Sequence, residues 1–202
     1  MQTPAGLGAH APYAVHRIPT ALIETMRLND GRSVLVRPVL PQDADLHQAF
    51  VRQLSLLSRR RRFHGPMVEL SPSALRYMTE VDYRTHLAIL AVVFVDGVER
   101  QVAEARWVRR SDEPDTADFA LAVADDWQRS GLGTRLLRLL ERSARENGVQ
   151  RLYGDVLHNN QPMIDCMRRA GARLRVDPLD ASVLSVEIDA TDGADAPWRA
   201  AA

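Results

Sequence analysis

Apolar residues recur along this chain with two different periods, and the alternation of those periods outlines the elements. Between Asp43 and about Leu57, Leu46, Phe50, Leu54 and Leu57 fall at three- to four-residue spacing, which predicts one helix capped by Asp43. A second helix is expected from the cap Ser71, with Pro72 at its first position. Leu87 to Val95 and Val98 to Val108 are strand-like runs joined by Asp96-Gly97, and together they predict a β-hairpin. Ser33 to Arg37, behind the turn Asn29-Asp30-Gly31 and ended by Pro38, is a short strand, and Thr116 to Val123 is another. Helical spacing returns over 132–146, where Leu132, Leu136, Leu137, Leu139 and Leu140 form one stripe and Asn147-Gly148 closes the helix. A strand from Leu152 to Leu157, a short helix from Pro162 to Arg169 closed by Gly171, and a last strand from Val183 to Ile188 complete the series.

The ends lack this patterning. Residues 1–27 carry Pro4, Gly6, Gly8, Pro12 and Pro19 and read as an N-terminal arm; 28–189 read as one domain, and 190–202 as a C-terminal tail. A 202-residue chain with 46% hydrophobic content can build one real core. With 26 basic and 26 acidic residues the net charge is zero, which removes the overall electrostatic case for nucleic acid or an anionic membrane as main partner. Every basic residue is arginine; the chain has no lysine. No apolar run is long enough to span a bilayer and the N-terminus does not read as a signal peptide, so a soluble cytoplasmic protein is expected. Cys166 is the only cysteine and the histidines lack ligand-like spacing, so no metal is expected.

The most informative stretch runs from Val123 through Gln128, Arg129, Ser130, Gly131, Leu132, Gly133 and Thr134. It describes a strand that turns through a glycine loop into a helix. Such a turn exposes unpaired backbone N–H groups at the positive end of the helix dipole, and the glycines let backbone approach an anion closely. A phosphate or pyrophosphate of a nucleotide-bearing ligand is the expected occupant.

Taken with the order of the elements, Gln128-Arg-Ser-Gly131-Leu-Gly133 resembles the Q/R-x-x-G-x-G/A loop of the GNAT superfamily of acyl-CoA N-acyltransferases. Asn160 and the helix ending at Gly171 look like that family's second CoA-side motif. Leu28-Asn-Asp-Gly31, Arg37-Pro38, Pro41-Gln-Asp43, Leu54-Ser-Leu-Leu-Ser58 with Arg62-Phe63, Val81-Asp82-Tyr83 and Asp118-Phe119-Ala120 extend the likeness to the catalytic domain of bacterial Pat-type protein lysine acetyltransferases, over residues 20–188. The resemblance implies an α/β GNAT fold, a mixed, mostly antiparallel sheet flanked by helices with a central splayed strand pair. It further implies acetyl-CoA as cosubstrate, bound by residues 128–134, Val123 and Asn160, and an amine acceptor, above all protein lysine.

The chemistry can be followed on the residues. A lysine amine is mostly protonated at neutral pH and must lose a proton before attacking a thioester. In 118–123, alternation puts Phe119, Leu121 and Val123 on one strand face and Asp118, Ala120 and Ala122 on the other, a carboxylate among small residues. Asp118 is the candidate general base, although the family pattern has glutamate there; Glu104 and His158 are the next candidates. The resemblance also implies that Val123 backbone groups hold the pantetheine arm, and that a tyrosine general acid of many relatives is replaced here by Met167. Cys166 reads as a packed thiol, Arg59 to Arg62 as a solvated helix end, and Trp107 and Trp127 as packing residues. A small-molecule amine acetyltransferase and a non-catalytic CoA-binding module are the alternatives.

Overall fold

The structure is a computed structural model that describes residues 17–191, so most of the expected arm and nearly all of the expected tail lie outside the described residues. Eight strands form one sheet in the order β1-β2-β3-β4-β5-β6-β8-β7. They are β1 (Glu24–Arg27), β2 (Ser33–Pro38), β3 (His86–Val95), β4 (Val98–Arg109), β5 (Thr116–Val123), β6 (Arg151–Leu157), β7 (Arg173–Val176) and β8 (Val183–Asp189). Every neighbouring pair is antiparallel except β5 and β6, which run parallel.

Five helices cover the two faces: α1 (Ala44–Gln53), α2 (Leu56–Phe63), α3 (Pro72–Thr79), α4 (Leu132–Glu146) and α5 (Gln161–Arg169). The leucine stripe of α4 sits in the main core with Leu121, Leu152 and Val156, and Ile164 and Met167 of α5 join it there. On the opposite face Phe50, Val51 and Leu54 pack with Leu70, Met78 and Ala122. Trp107 is wholly buried and its indole N–H donates to Ser143 Oγ at 2.9 Å, which ties β4 to α4. The α/β architecture, its mixed sheet and the central parallel pair are as expected from the sequence.

Three boundaries differ. The first helix stops at Gln53 instead of continuing to Leu57, because Leu54 is extended and Ser55 starts a separate helix, its Oγ accepting from the Ser58 N–H at 3.2 Å. Residues 24–27, assigned by sequence to the arm, form edge strand β1, and at the other end the Ala190 N–H donates to the Gln150 carbonyl at 2.7 Å. β7 was not expected: its sequence Arg-Leu-Arg-Val has three exposed residues and one half-buried leucine, too little apolar signal for a strand.

Candidate active site

β5 and β6 pair only at Thr116–Asp118 with Arg151–Tyr153 and separate beyond that point. The Phe119 ring wedges in at the divergence. A β-carbon on Gly154 would meet Phe119 Cε1 at 2.8 Å, so the ring takes space that only glycine leaves free. The gap becomes a cleft of about 830 Å³, walled by α4 and α5 residues such as Thr134 and Met163 and by α2 residues such as Arg61 and Arg62.

Seven of the nine residues expected to bind the nucleotide-bearing ligand line this cleft: Val123, Gln128, Arg129, Gly131, Gly133, Thr134 and Asn160. The side chains of Ser130 and Leu132 do not. Ser130 is buried and closes the loop by donating to the Trp127 carbonyl at 2.6 Å, whereas Leu132 is wholly buried in the core and anchors α4. Gly131 has φ +85°, in the left-handed region, and packs so closely on Asn29 that a β-carbon would stand 2.8 Å from Nδ2. The N–H groups of Gly133 and Thr134 fall in the first turn of α4, where no intrahelical acceptor exists.

Neighbouring elements hold the loop from two sides. Asp125 accepts from the Ser55 N–H at 2.9 Å and from the hydroxyls of Ser55 and Ser58 at 2.8 Å each. Gln128 Nε2 then donates to Ser58 Oγ at 3.2 Å and to the Val123 carbonyl at 3.1 Å. The Leu54 to Ser58 motif thus fastens α2 to the glycine loop. From the β1–β2 turn, the Asn29 N–H donates to the Ser130 carbonyl at 3.0 Å, and the Arg32 guanidinium lies 3.9 Å from the Trp127 ring centroid. The Ala124 N–H donates to the Val102 carbonyl at 2.8 Å, which makes Val123 and Ala103 a non-hydrogen-bonded pair. The Val123 N–H consequently points away from β4, into the gap.

Asp118 lies on the other face, at the closed end of the same gap, with 61% of its side chain exposed. Arg110 donates to its Oδ1 twice, from Nη2 at 2.6 Å and Nε at 3.0 Å. The same guanidinium lies 4.5 Å from the Tyr153 ring centroid. Oδ2 makes no hydrogen bond with another described residue, and the side chain lines the cleft. Tyr153 also lines the cleft and was not singled out from the sequence.

The two substitute bases are placed otherwise. Glu104 has no exposure and lies off the cleft wall; Arg62 Nε donates to it at 2.8 Å, Arg106 Nη2 at 2.7 Å, and His47 Nε2 stands 3.7 Å away. Burial alone would raise its carboxyl, but Arg106, Arg62 and His47 outweigh burial and hold it well below the usual carboxylate range. It is a fixed anion that orients Arg62 toward the cleft. His158 is exposed, outside the cleft lining, with its N–H on the Ser182 carbonyl at 2.8 Å. Met167 is fully buried, and burial pushes the Cys166 thiol up, with its Sγ 3.5 Å from Thr134 Oγ1.

Residues 58–172 match the family model described as Acetyltransferase (GNAT) family, a span that includes most of α2, the parallel pair, the glycine loop and α5. The chain belongs to the GNAT acetyltransferase family. An acetyltransferase of Pseudomonas aeruginosa is 34% identical over 155 residues, 77% of this chain and 83% of that protein. Acetyltransferase Pat of Mycolicibacterium smegmatis is 30% identical over 167 residues, 83% of this chain but only 49% of its own length, so this chain spans about half of Pat. The crystal structure of the GNAT domain of S. lividans PAT superposes with a TM-score of 0.78 at 27% identity, covering 86% of this chain and 99% of that one. For this GNAT acetyltransferase the splayed β5/β6 pair and the glycine loop are therefore family architecture, and the likeness to Pat-type catalytic domains read from the sequence holds. Among the described residues, no helix is long and apolar enough to cross a membrane.

Proposed function

We propose that this acetyltransferase moves the acetyl group of acetyl-CoA to the side-chain amine of protein lysines by direct attack. One observation carries the reading: the glycine loop and Asp118 face the same gap from opposite faces of the sheet. The pyrophosphate would rest on the first-turn N–H groups of α4, beside the close backbone approach at Gly131. The pantetheine arm would run along β5 from the Val123 N–H toward Asp118, so that the Leu121 N–H, turned away from β4 in the same way, meets the thioester oxygen, where negative charge develops in the transition state. The acceptor enters from the α2 side. Asp118 Oδ2 takes its proton, directly or through one water, while Arg110 on Oδ1 and the Tyr153 ring keep the carboxylate in place. The amine nitrogen then bonds to the thioester carbonyl carbon, and the carbon–sulfur bond breaks to release CoA thiolate, which solvent can protonate. With acetyl-CoA as donor, a cytoplasmic location is part of this reading.

The test is release of CoA thiol from acetyl-CoA in the presence of lysine peptides, together with a comparison of acetyl-lysine across cellular proteins with and without the protein. Because the chain has no lysine, its own side chains add no acetyl-lysine background. Thiol release that does not depend on an added amine would refute the transfer.

A further inference from the structure

β6 brings a second carboxylate into the cleft. In the parallel ladder Asp118 pairs with Tyr153, so Tyr153 and Asp155 share the Asp118 face of the sheet, while Leu152, Gly154 and Val156 point toward α4 and α5. Asp155 therefore stands one pleat further up the gap than Asp118, level with Ala120, whose single methyl leaves the passage between the strands open. β5 presents Asp118 and β6 presents Asp155 to the same space.

The two carboxylates differ in their partners. Asp118 has one oxygen filled by Arg110. Asp155 is exposed, lines the cleft, and makes no hydrogen bond or ion pair with another described residue, in a chain with 26 arginines. Two of the arginines that line the cleft are engaged elsewhere: Arg62 donates to Glu104, and Arg61 Nη2 donates to the Asn159 carbonyl at 3.1 Å. A carboxylate left open beside the acceptor's path attracts a positive charge arriving from solvent, and it does so most strongly where strands and helices narrow its contact with water.

We propose that Asp155 binds the protonated acceptor amine on its way to Asp118, and so selects cationic amines over neutral nucleophiles. The proposal rests on acetyl transfer with the acceptor entering from the α2 side. The group it recognises is an alkylammonium, as on lysine. Asp155 contributes to binding, and the proton is removed at Asp118.

The experiment compares three acceptors under saturating acetyl-CoA at neutral pH: a lysine peptide, n-butylamine, which is cationic there, and hydroxylamine, which is mostly uncharged. Uncatalysed reaction is subtracted. In Asp155→Asn the ratio of the KM for butylamine to that for hydroxylamine is expected to rise about two- to fivefold, the scale of one lost exposed charge pair. Asp155→Glu should bring the ratio back toward wild type. Acetyl-CoA affinity and melting temperature report on folding. Equal KM changes for the charged and the neutral acceptor, or an Asp155→Glu variant as impaired as Asp155→Asn, would overturn the assignment. Transfer by the wild-type chain to butylamine but not to the peptide would refute the protein acceptor alone, and the KM ratio would still decide on Asp155. No transfer to any acceptor would overturn both.

Discussion

Phe119 occupies the place of a missing side chain on Gly154: its ring atoms Cε1, Cδ1 and Cζ would lie 2.8 to 3.1 Å from a β-carbon there. The contact sits where β5 and β6 stop pairing, so it links a local sequence choice to the opening of the cleft. Gly154→Ala should push the ring toward the cleft and lower acetyl-CoA affinity, with a stability loss of about 1–3 kcal/mol from overpacking. Phe119→Leu in the same chain should restore part of both. Calorimetric binding and thermal melts check this; full affinity in Gly154→Ala would mean that the ring does not shape the site.

Gly131 and Gly133 separate backbone strain from steric approach. Alanine at 131 meets a positive φ and the Asn29 amide at 2.8 Å, so it should lower the melting temperature as well as acetyl-CoA affinity. Alanine at 133 meets only ordinary contacts with Leu121 and Val123 at 3.7 Å. Gly133→Ala should melt close to wild type, and any affinity it loses then measures how closely the ligand approaches the backbone. A large stability loss at 133 would contradict the packing described.

Asp118→Asn keeps size but cannot accept the proton, so turnover should fall by roughly 10²–10⁴ with little change in acetyl-CoA affinity. Asp118→Glu should remain active. Raising the pH should partly restore the Asn variant as free amine accumulates. Arg110→Gln should lower turnover less than Asp118→Asn does, because it frees the carboxylate without removing it. Neutral-pH turnover near wild type in Asp118→Asn would exclude it as the base.

Acid should loosen the fold from the α1–α3 face. Burial, with Arg106 Nη1 3.2 Å from Nε2, lowers the His86 imidazole from its ordinary 6.5 to about 4, and burial also depresses His47 despite Glu104 beside it. The unfolded chain therefore binds protons that the folded chain refuses. Stability should fall as pH drops below about 6.5 and level off near 4, by up to about 3 kcal/mol for His86 alone. Glu104 acts later. Its depressed carboxyl contributes full stability above its unfolded value and loses it only as pH falls further, through the folded one. Denaturant melts between pH 7 and 4 should show the slope, and His86→Gln should flatten it; a variant with the wild-type slope would remove His86 as a source.

Cutting the loop's support should act at a distance. Asp125→Ala removes the acceptor for the Ser55 N–H and for two hydroxyls, so α2 and Gln128 lose their common anchor. Weaker acetyl-CoA binding with Asp118 chemistry otherwise intact is expected, seen as a raised KM for acetyl-CoA at nearly constant kcat.

What could be read from the chain alone was written in short range. The alternation of Asp118, Ala120 and Ala122 against Phe119, Leu121 and Val123, the leucine stripe of α4 and the glycines before it are periodic or adjacent, and backbone geometry turns each directly into a face, a helix or an anion site. These features also carried the likeness to the family. The remainder depended on contacts between residues far apart in sequence. Glu104 reads as a possible base until Arg62 of α2 and His47 of α1 close around it, beside its strand neighbour Arg106, and convert it into a buried, paired anion. Ser55 reads as one polar position in a helical run until Asp125, 70 residues away, takes its N–H and hydroxyl and the helix divides. Nothing in the chain marks Gly154 until Phe119 lies against it. Periodicity reports which face a residue turns to; only the packed fold decides what meets it there, because desolvation and pairing act through space and leave no regular spacing in the chain.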